Sequence, residues 1–453
     1  MSEIPHLSVT GHPNKGKSSL VATLTENDGV LISVESGTTI QADSFDFQVD
    51  GQTFLRLTDT PGFQRARQLL GWLQESSPDV EERPARVAAF LAEPGHRHRF
   101  PDEVALLTPI MAGSGILYVV DATQPLTAAD EAEMEILQWT GQPRMAVMNP
   151  MAEAPLRPEW QPVLERFFPR VSLFNPLTAS PAERLELLQS LGQLRPGWQE
   201  PIDRLCERLV LRDHQRIEAM AGLLARYWLE QMARREPVTL LDQQGFNRAG
   251  DKLRHKLDEA EQGFCRQLLE LWGHQRSRLA RQVHWELDED RLMNTETWYL
   301  WGLGKKQLLM VSAAAGAATG LAIDAGTGGS SLMLGAVSGG VIGSLGGWWA
   351  SQQLPGKRLG WLPLTRQKQF AGPVLHPNFP LVVMARSLAF AGQLQGRTHA
   401  RREQLALQAS AAHWQQTEQV RLLQWAAAIR KDRWKPSQQD QLLQWIIGQL
   451  SSR

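Results

Sequence analysis

The eight residues from Gly11 to Ser18 constrain the fold of this chain more than any other stretch. They run Gly-His-Pro-Asn-Lys-Gly-Lys-Ser and match every fixed position of the pattern G-x-x-x-x-G-K-S. This pattern predicts a loop whose backbone N–H groups surround phosphate oxygens. An apolar run precedes it (5–10) and a helix-compatible run follows it (18–24). The sequence therefore predicts a strand, a phosphate loop and a helix in that order.

Each residue type in this loop has a chemical task. Gly11 and Gly16 allow the backbone to turn its N–H groups inward, and the start of the helix adds its positive dipole end. Lys17 is predicted to contact the β- and γ-phosphates, and the Ser18 hydroxyl to ligate Mg²⁺. The loop residues predicted to bind the nucleotide are Gly11, Asn14, Lys15, Gly16, Lys17, Ser18 and Ser19.

Two later stretches supply the other parts of such a site. A predicted strand ends in Asp59-Thr60-Pro61-Gly62, where Asp59 would hold Mg²⁺ through water and the Gly62 N–H would sense the third phosphate. Between the two motifs, Thr38 and Thr39 lie in a turn-prone segment, and Thr39 is the better candidate to close over the metal. The alternative is that Thr38 and Thr39 lie in an ordinary loop and do not bind the metal. The predicted metal ligands are Ser18, Thr39 and Asp59.

These motifs resemble those of the Era/TrmE-like GTPases, a translation-factor-related class of P-loop proteins. The resemblance covers about the first 180 residues and implies GTP and GDP as ligands, GTP hydrolysis, Mg²⁺, and a potassium ion beside Asn14. Phe63 occupies the position of the catalytic glutamine of Ras-like proteins, and Gln64 follows one place later. The predicted catalytic residues are Lys17, Thr39, Gly62 and Gln64.

One motif of these GTPases is altered here. The base-recognition motif N-K-x-D should follow the apolar run 144–148, but the chain has Asn149-Pro150-Met151-Ala152. Asn149 is still predicted to bind the nucleotide, whereas the carboxylate that pairs with guanine is missing unless Glu153 substitutes for it. Guanine preference is therefore implied by the resemblance, and ATP remains the alternative.

The pattern of apolar residues divides the chain into an α/β part and a helical part. Residues 1–180 are predicted to form an α/β P-loop GTPase domain with a doubly wound, mostly parallel sheet that binds the nucleotide at the carboxyl ends of its strands. The interval 63–114 is interpreted as a solvated insertion, and the alternative is an element that contacts a partner or donates an arginine to the site. Long helices are predicted at 247–289 and 381–433. The predicted domains are 1–180, the GTPase domain; 181–304, a helical bundle or stalk; 305–361, a glycine-rich helical hairpin; and 362–453, a helical region packing with 181–304.

The hairpin is predicted from two uncharged runs, 308–323 and 332–350, which have glycines at four-residue spacing. As helices they would reach about 24 and 28 Å, against a hydrocarbon core of about 30 Å. Tryptophans and lysines flank both runs on the same side, which favours a membrane-lipid contact of 305–361 from the cytoplasm. A soluble, buried hairpin is the alternative. This half also resembles a bacterial family that pairs an Era-like GTPase with such a hairpin, through the segments 320–329, 384–390 and 397–401.

Composition limits the other classes of function. The formal net charge is −1 over 453 residues, and no RNA-binding motif is recognisable, so no clear nucleic-acid partner is expected. Cys206 and Cys265 match no metal spacing or disulfide framework. No signal peptide is recognised before the first strand. We therefore expect a cytoplasmic protein, associated with the inner face of the cytoplasmic membrane.

Three hypotheses of function follow. The first is a Mg²⁺-dependent GTPase switch that couples its nucleotide state to the membrane-associating hairpin, with a membrane protein or a second copy as partner. The second is a soluble GTPase interaction module, associated with RNA, the ribosome or a protein, with the hairpin buried. The third is a nucleotide-triggered, membrane-disrupting effector.

Overall fold

The computed structural model describes residues 4–27, 43–76, 78–151, 154–239, 242–274, 370–376, 379–401 and 414–451. These residues fall into two compact units. The first lies within Met1–Gln215, Gly273–Leu279 and Gly396–Glu403. The second lies within Arg216–Trp272, Ala280–Gln395 and Gln404–Arg453.

The first unit is built on a six-stranded sheet. Its strands are β1 (His6–Thr10), β2 (Asp43–Val49), β3 (Gln52–Asp59), β4 (Gly115–Val120), β5 (Arg144–Met148) and β6 (Val171–Leu173). They lie in the order β2-β3-β1-β4-β5-β6. The β2–β3 pair is antiparallel, and the other four pairs are parallel. The predicted α/β domain with a mostly parallel sheet is confirmed.

Helices cover both faces of this sheet. They are α1 (Lys17–Thr25), α2 (Ala66–Gln74), α3 (Arg83–Ala92), α4 (His96–Arg99), α5 (Pro101–Met111), α6 (Ala128–Trp139), α7 (Trp160–Phe167), α8 (Pro181–Gly192) and α9 (Gln199–Ala233), the last of which continues into the second unit. Strand β4 is buried at every position. Leu117 and Val119 belong to one core, and Ile116, Tyr118 and Val120 to the other. Alternating side chains on a fully buried strand thus produce two cores.

The interval from Phe63 to Ser114 is not the solvated insertion that we expected. It forms α2 to α5, whose apolar sides supply one of the two cores. Phe90 and Phe100 are fully buried there and meet edge to face at 5.5 Å between ring centroids. The prediction was wrong because the charged residues of this interval lie among apolar ones at helical spacing.

The first core also extends beyond residue 180. Leu188 and Leu191 of α8 and Leu205 and Leu209 of α9 are buried in it. The helical residues that follow the sheet domain in sequence therefore complete its core. The four-part division of the chain stays a prediction, because 305–361 lies outside the described residues.

The described part of the second unit is mainly helical, as predicted. It contains the latter part of α9, α10 (Gln243–Leu271), α11 (Phe379–Gln395), α12 (Gln416–Arg430) and α13 (Pro436–Ser451), with a short antiparallel pair, β7 (Glu236–Pro237) and β8 (Phe370–Ala371). The Trp228 indole N–H donates to the carbonyl of Pro380 at 2.9 Å and ties α9 to α11. The buried Arg386 donates from Nε and Nη2 to the Glu261 carboxylate at 2.8 and 3.2 Å and ties α11 to α10.

Two helix predictions need correction or restriction. The single helix predicted at 381–433 is wrong, because α11 ends at Gln395 before Gly396. The turn that follows buries Ala400 in the first unit's core, and the Thr398 hydroxyl donates to the carbonyl of Leu177 at 3.2 Å. The single helix predicted at 247–289 is also wrong: it begins at Gln243 and ends at Leu271, and Gly273 follows with a φ angle of 75°. Residues 275–289 lie outside the described residues.

Among the residues that the structure describes, no helix is both long and apolar enough to cross a membrane. The hairpin predicted at 305–361 lies outside them.

Candidate nucleotide site

The phosphate loop joins the end of β1 to the start of α1. Gly11, Asn14 and Gly16 take positive φ angles of 132°, 61° and 85°, a region that glycine adopts freely and asparagine tolerates. A Cβ on Gly11 would lie 2.3 Å from the carbonyl oxygen of Val119. The glycine is therefore required both for the turn and for the close approach to β4. The loop lies at the carboxyl edge of the parallel strands.

Lys17, the first residue of α1, is buried in this loop. Its exposed fraction is 8%, and its ammonium donates to the backbone carbonyl oxygen of His12 at 3.1 Å. Burial lowers the pKa of Lys17, whereas the charges of Asp59 and Glu133 act in the opposite direction. A buried cation at the N-terminus of a helix is suited to phosphate oxygens.

Ser18 and Asp59 meet, although 41 positions separate them. The Ser18 hydroxyl donates to Asp59 Oδ2 at 2.5 Å and so joins α1 to the end of β3. Asp59 is 3% exposed, and within the described structure its Oδ1 is buried without a hydrogen-bond partner. Burial raises the pKa of Asp59, against the hydrogen bond from Ser18 and the charge of Lys17.

This pair fits Mg²⁺. A magnesium ion takes few protein ligands, all of them hard oxygens, and keeps several waters. The hydroxyl of Ser18 and the unpaired carboxylate oxygen of Asp59 supply such donors. The third predicted ligand, Thr39, lies outside the described residues.

The segment after β3 rests on the phosphate loop. A Cβ on Gly62 would lie 2.6 Å from the backbone nitrogen of Pro13 and 2.9 Å from the carbonyl oxygen of Gly11. Gly62 is therefore packed backbone to backbone against the loop. The next side chain, Phe63, is buried in the core, and Gln64 is exposed.

Glu103 of α5 fixes this segment, and we did not predict it from the sequence. It is fully buried, and its Oε1 accepts the backbone N–H groups of Gln64, at 2.9 Å, and Arg65, at 2.5 Å. In the sequence it is one acidic residue in the first turn of a helix, a common feature. Only its burial distinguishes it.

On the opposite side of the loop lies Asn149, which follows β5. Its amide Nδ2 donates to the carbonyl oxygen of Lys15 at 3.1 Å, and a Cβ on Gly16 would lie 2.3 Å from that nitrogen. The ammonium of Lys15 lies 3.8 Å from Asp121 Oδ2, at the end of β4. Asn149 and the phosphate loop thus form one continuous surface.

Two further polar residues complete this edge and were missed. Asp121 accepts the backbone N–H and hydroxyl of Thr123 at 3.1 and 2.6 Å. Asn175, after β6, donates to the carbonyl of Pro150 at 3.2 Å. A polar residue directly after a buried strand is the signal that could have found Asp121, since parallel strands end at one edge. Asn175 has no such signal, because β6 is only partly buried and Phe174 lies between them.

The remaining predicted residues have weaker structural support. Asn14 is exposed and Ser19 is partly buried. Glu153, considered as a substitute carboxylate for the base, lies outside the described residues, as does Ala152. The structure therefore brings together Gly11, Lys15, Gly16, Lys17, Ser18, Asp59, Gly62 and Asn149.

Comparison with known families gives two matches along the chain. Residues 163–450, more than half of the chain, match the family described as Domain of unknown function (DUF3482). The chain belongs to this family. In this DUF3482 protein, residues 6–150 match the family described as 50S ribosome-binding GTPase. The sheet, the phosphate loop and this match together show that the first unit carries a P-loop GTPase domain.

Relatives of this DUF3482 protein match only in part. GTPase Der of Rhodopirellula baltica is 40% identical over 63 residues, which are 14% of each chain. GTPase Der of Salinispora tropica is 29% identical over 145 residues, which are 32% of this chain and 25% of the relative. The chain therefore spans a quarter or less of the length of these relatives.

Two solved structures are similar to less than half of the chain. Era of Aquifex aeolicus bound to GDP and AlF4⁻ is 18% identical, with a TM-score of 0.30, and the match covers 41% of this chain and 55% of that one. Era in complex with MgGDPNP and a fragment of 16S ribosomal RNA is 16% identical, with a TM-score of 0.30, over 42% and 56%.

Proposed function

We propose that this chain is a Mg²⁺-dependent, GTP-binding and GTP-hydrolysing switch of the Era/TrmE-like type. The observation that carries the proposal is the meeting of Lys17, Ser18, Asp59 and Gly62 at one loop on the carboxyl edge of the sheet. Lys17 and the loop N–H groups would hold the phosphates of GTP or GDP. The N–H of Gly62 would contact the third phosphate, so that hydrolysis releases the segment after β3.

The metal and the attacking water have assigned places in this proposal. Ser18 and Asp59, with Thr39 as third ligand from the sequence, would hold Mg²⁺, which neutralises charge on the transferred phosphate. Gln64 follows Gly62 and is exposed, so it is our candidate for orienting the water. Asn14 would lie beside a potassium ion, as the resemblance implies.

Guanine is the proposed base. Its support is the match of residues 6–150 to a GTPase family and the position of Asn149 against the loop. ATP is the alternative because Ala152 stands where the resemblance implies a carboxylate. We propose no nucleic-acid partner. Association with RNA is the alternative; the similar structure that contains RNA is a complex of Era itself with a fragment of 16S ribosomal RNA.

A buried ion-pair network connects α1, the helix that begins at the phosphate loop, to α8 and α9. Glu26 follows the last residue of α1, the helix that begins in the phosphate loop, and its side chain is 8% exposed. Its Oε1 accepts from Arg184 of α8 and, at 2.6 Å, from Arg212 of α9. Asp213 of α9 lies 3.6 Å from the same Arg184. Since α9 continues to Ala233, a shift of α1 would be transmitted along a helix of the helical half.

We expect the variant Glu26→Gln to uncouple α9 from the nucleotide. Removing one partner of a buried ion pair costs about 3–5 kcal/mol of unfolding free energy, so a lower melting temperature is expected. GDP affinity should be retained, whereas the difference in hydrogen exchange of α9 between GDP and a non-hydrolysable GTP analogue should disappear. The exposed Glu207→Gln on the same helix is the matched control. An unchanged α9 difference in Glu26→Gln would contradict the proposed route.

The effector end of the switch is proposed to be the segment 305–361, in contact with membrane lipid at the inner face of the cytoplasmic membrane. The support is its sequence: two uncharged, glycine-spaced runs flanked by tryptophan and lysine. A membrane protein or a second copy of the chain is the proposed partner there.

Vesicle sedimentation tests this part of the proposal. The intact chain should sediment with vesicles that contain anionic lipid, and a chain lacking 305–357 should stay in the supernatant while it still binds GDP. An intact chain that stays in the supernatant with every nucleotide would support the soluble module with a buried hairpin. Nucleotide-dependent leakage of dye from the vesicles would support the membrane-disrupting effector.

A further inference from the structure

A buried carboxylate lies next to the phosphate loop and has no part in the function proposed above. Glu133 of α6 is fully buried. Its Oε2 accepts the phenolic O–H of Tyr118 at 3.0 Å, and its Oε1 lies 3.0 Å from Nδ1 of His12. Burying a carboxylate costs free energy unless it is hydrogen-bonded, and here both oxygens have partners.

His12 connects this carboxylate to the phosphate site. It directly follows Gly11, and its own carbonyl oxygen is the acceptor for the Lys17 ammonium at 3.1 Å. The hydrogen bond to Glu133 therefore fixes the backbone group that positions Lys17. The loop around it has positive φ angles at Gly11 and Asn14 and is not held by strand or helix hydrogen bonds at His12.

The side chain of His12 is also able to exchange protons with solvent. It is 45% exposed, whereas the side chain of Glu133 is 1% exposed. The hydrogen bond to Glu133 raises the pKa of His12, the charge of Asp130 adds to this, and burial and Lys15 oppose it. Burial raises the pKa of Glu133, and burial also keeps Tyr118 protonated by raising its pKa far above the ordinary value.

We propose that His12, held by Glu133 and Tyr118, is a positioning residue of the phosphate loop, and that protonation of its imidazole strengthens nucleotide binding. The inference rests on the proposed nucleotide function and adds a regulation of the same site. In its charged form His12 makes an ion pair with the buried carboxylate and adds positive charge to a loop that binds an anion. In its neutral form only the hydrogen bond remains.

The direction of the pH dependence follows from these contacts. A bound phosphate favours a protonated imidazole beside it, so nucleotide binding is tighter where His12 is charged and weaker where it is neutral. The pKa of His12 lies above its ordinary value, so dissociation of GDP should become faster as pH rises over a range that begins near the ordinary value of about 6.5, measured here from about pH 6 to about pH 8.5. Because a partly exposed charge contributes only modestly, the expected acceleration is roughly two- to fivefold.

The experiment measures the dissociation rate of a fluorescent GDP analogue from the full chain across this pH range. His12→Gln keeps a hydrogen-bonding side chain but cannot be protonated, and it should lose the pH dependence and dissociate fast throughout. His12→Arg stays charged and should dissociate slowly throughout. Glu133→Gln and Tyr118→Phe should flatten the profile in part. Titration of the nucleotide itself is common to all variants and cancels in the comparison.

Failure of this inference is distinguishable from failure of the proposed function. If wild type and His12→Gln give the same profile while Lys17→Ala loses GDP, the role of His12 is refuted and the nucleotide site stands. If wild type does not retain GDP at any pH, both are refuted. A flat His12→Gln profile at the slow rate would also overturn the inference, because the imidazolium would then contribute nothing.

Discussion

Replacing Lys17 with alanine is expected to abolish nucleotide binding at physiological concentrations. The ammonium is buried in the loop and donates to the carbonyl of His12. An ammonium has three N–H donors, so two more hydrogen bonds to phosphate oxygens can form. Each hydrogen bond to a charged group contributes about 1.5–3 kcal/mol. Losing two of them would weaken binding by roughly 10²- to 10⁴-fold. Displacement of a fluorescent GDP analogue measures this loss.

Loss of the fold would not explain this result. Burial lowers the pKa of Lys17, which means that the empty site is penalised for holding the charge. Lys17→Ala should therefore melt at the same temperature as the wild type or higher when no nucleotide is present. Lys252→Ala, an exposed lysine on α10, is the matched control and should bind GDP like the wild type. Unchanged GDP affinity in Lys17→Ala would remove the basis of the site assignment.

Replacing Asp59 with asparagine is expected to have opposite effects on stability and on the response to Mg²⁺. Its Oδ1 is buried without a partner within the described structure, and burial raises its pKa. A raised pKa means that stability falls as pH rises through it, because the ionised group is penalised. The amide side chain of the variant carries no charge, so Asp59→Asn should melt higher than the wild type at neutral pH without metal.

With Mg²⁺ and nucleotide present, the wild type should have the higher melting temperature of the two. A group that holds the metal through water contributes roughly 10- to 100-fold to metal affinity. The tightening of nucleotide binding by Mg²⁺ should therefore be largely lost in Asp59→Asn, while GDP affinity in EDTA is retained. Melting curves and GDP titrations with and without Mg²⁺ measure both effects. A variant that is less stable without metal and keeps the full Mg²⁺ response would contradict the role of Asp59.

The phosphate site was predictable because local sequence patterns fix its parts. Lys17 and Ser18 lie in one short motif, and Asp59 ends a predicted strand. Parallel strands end at one edge of the sheet, so the meeting of Ser18 with Asp59 follows from topology. Asn149 was predicted from the resemblance, as the first residue of the altered base-recognition motif after β5.

The supporting residues were not predictable because their roles depend on burial. Glu103 and Glu133 look like ordinary surface residues of amphipathic helices, and only the packing of α5 and α6 makes them buried acceptors. His12 occupies a variable position of the motif, so no pattern marks it. The end of α11 at Gln395 likewise depends on a distant contact, the burial of Ala400 in the first unit.

Calorimetric titration of the full chain with GTP, and with ATP and xanthosine triphosphate for comparison, each with Mg²⁺, measures whether the phosphate loop binds a guanine nucleotide. We expect one GTP to bind per chain, more tightly than either of the other two, and Lys17→Ala to give no measurable heat. Absence of binding by all three nucleotides, or equal binding of GTP by wild type and Lys17→Ala, would contradict this expectation.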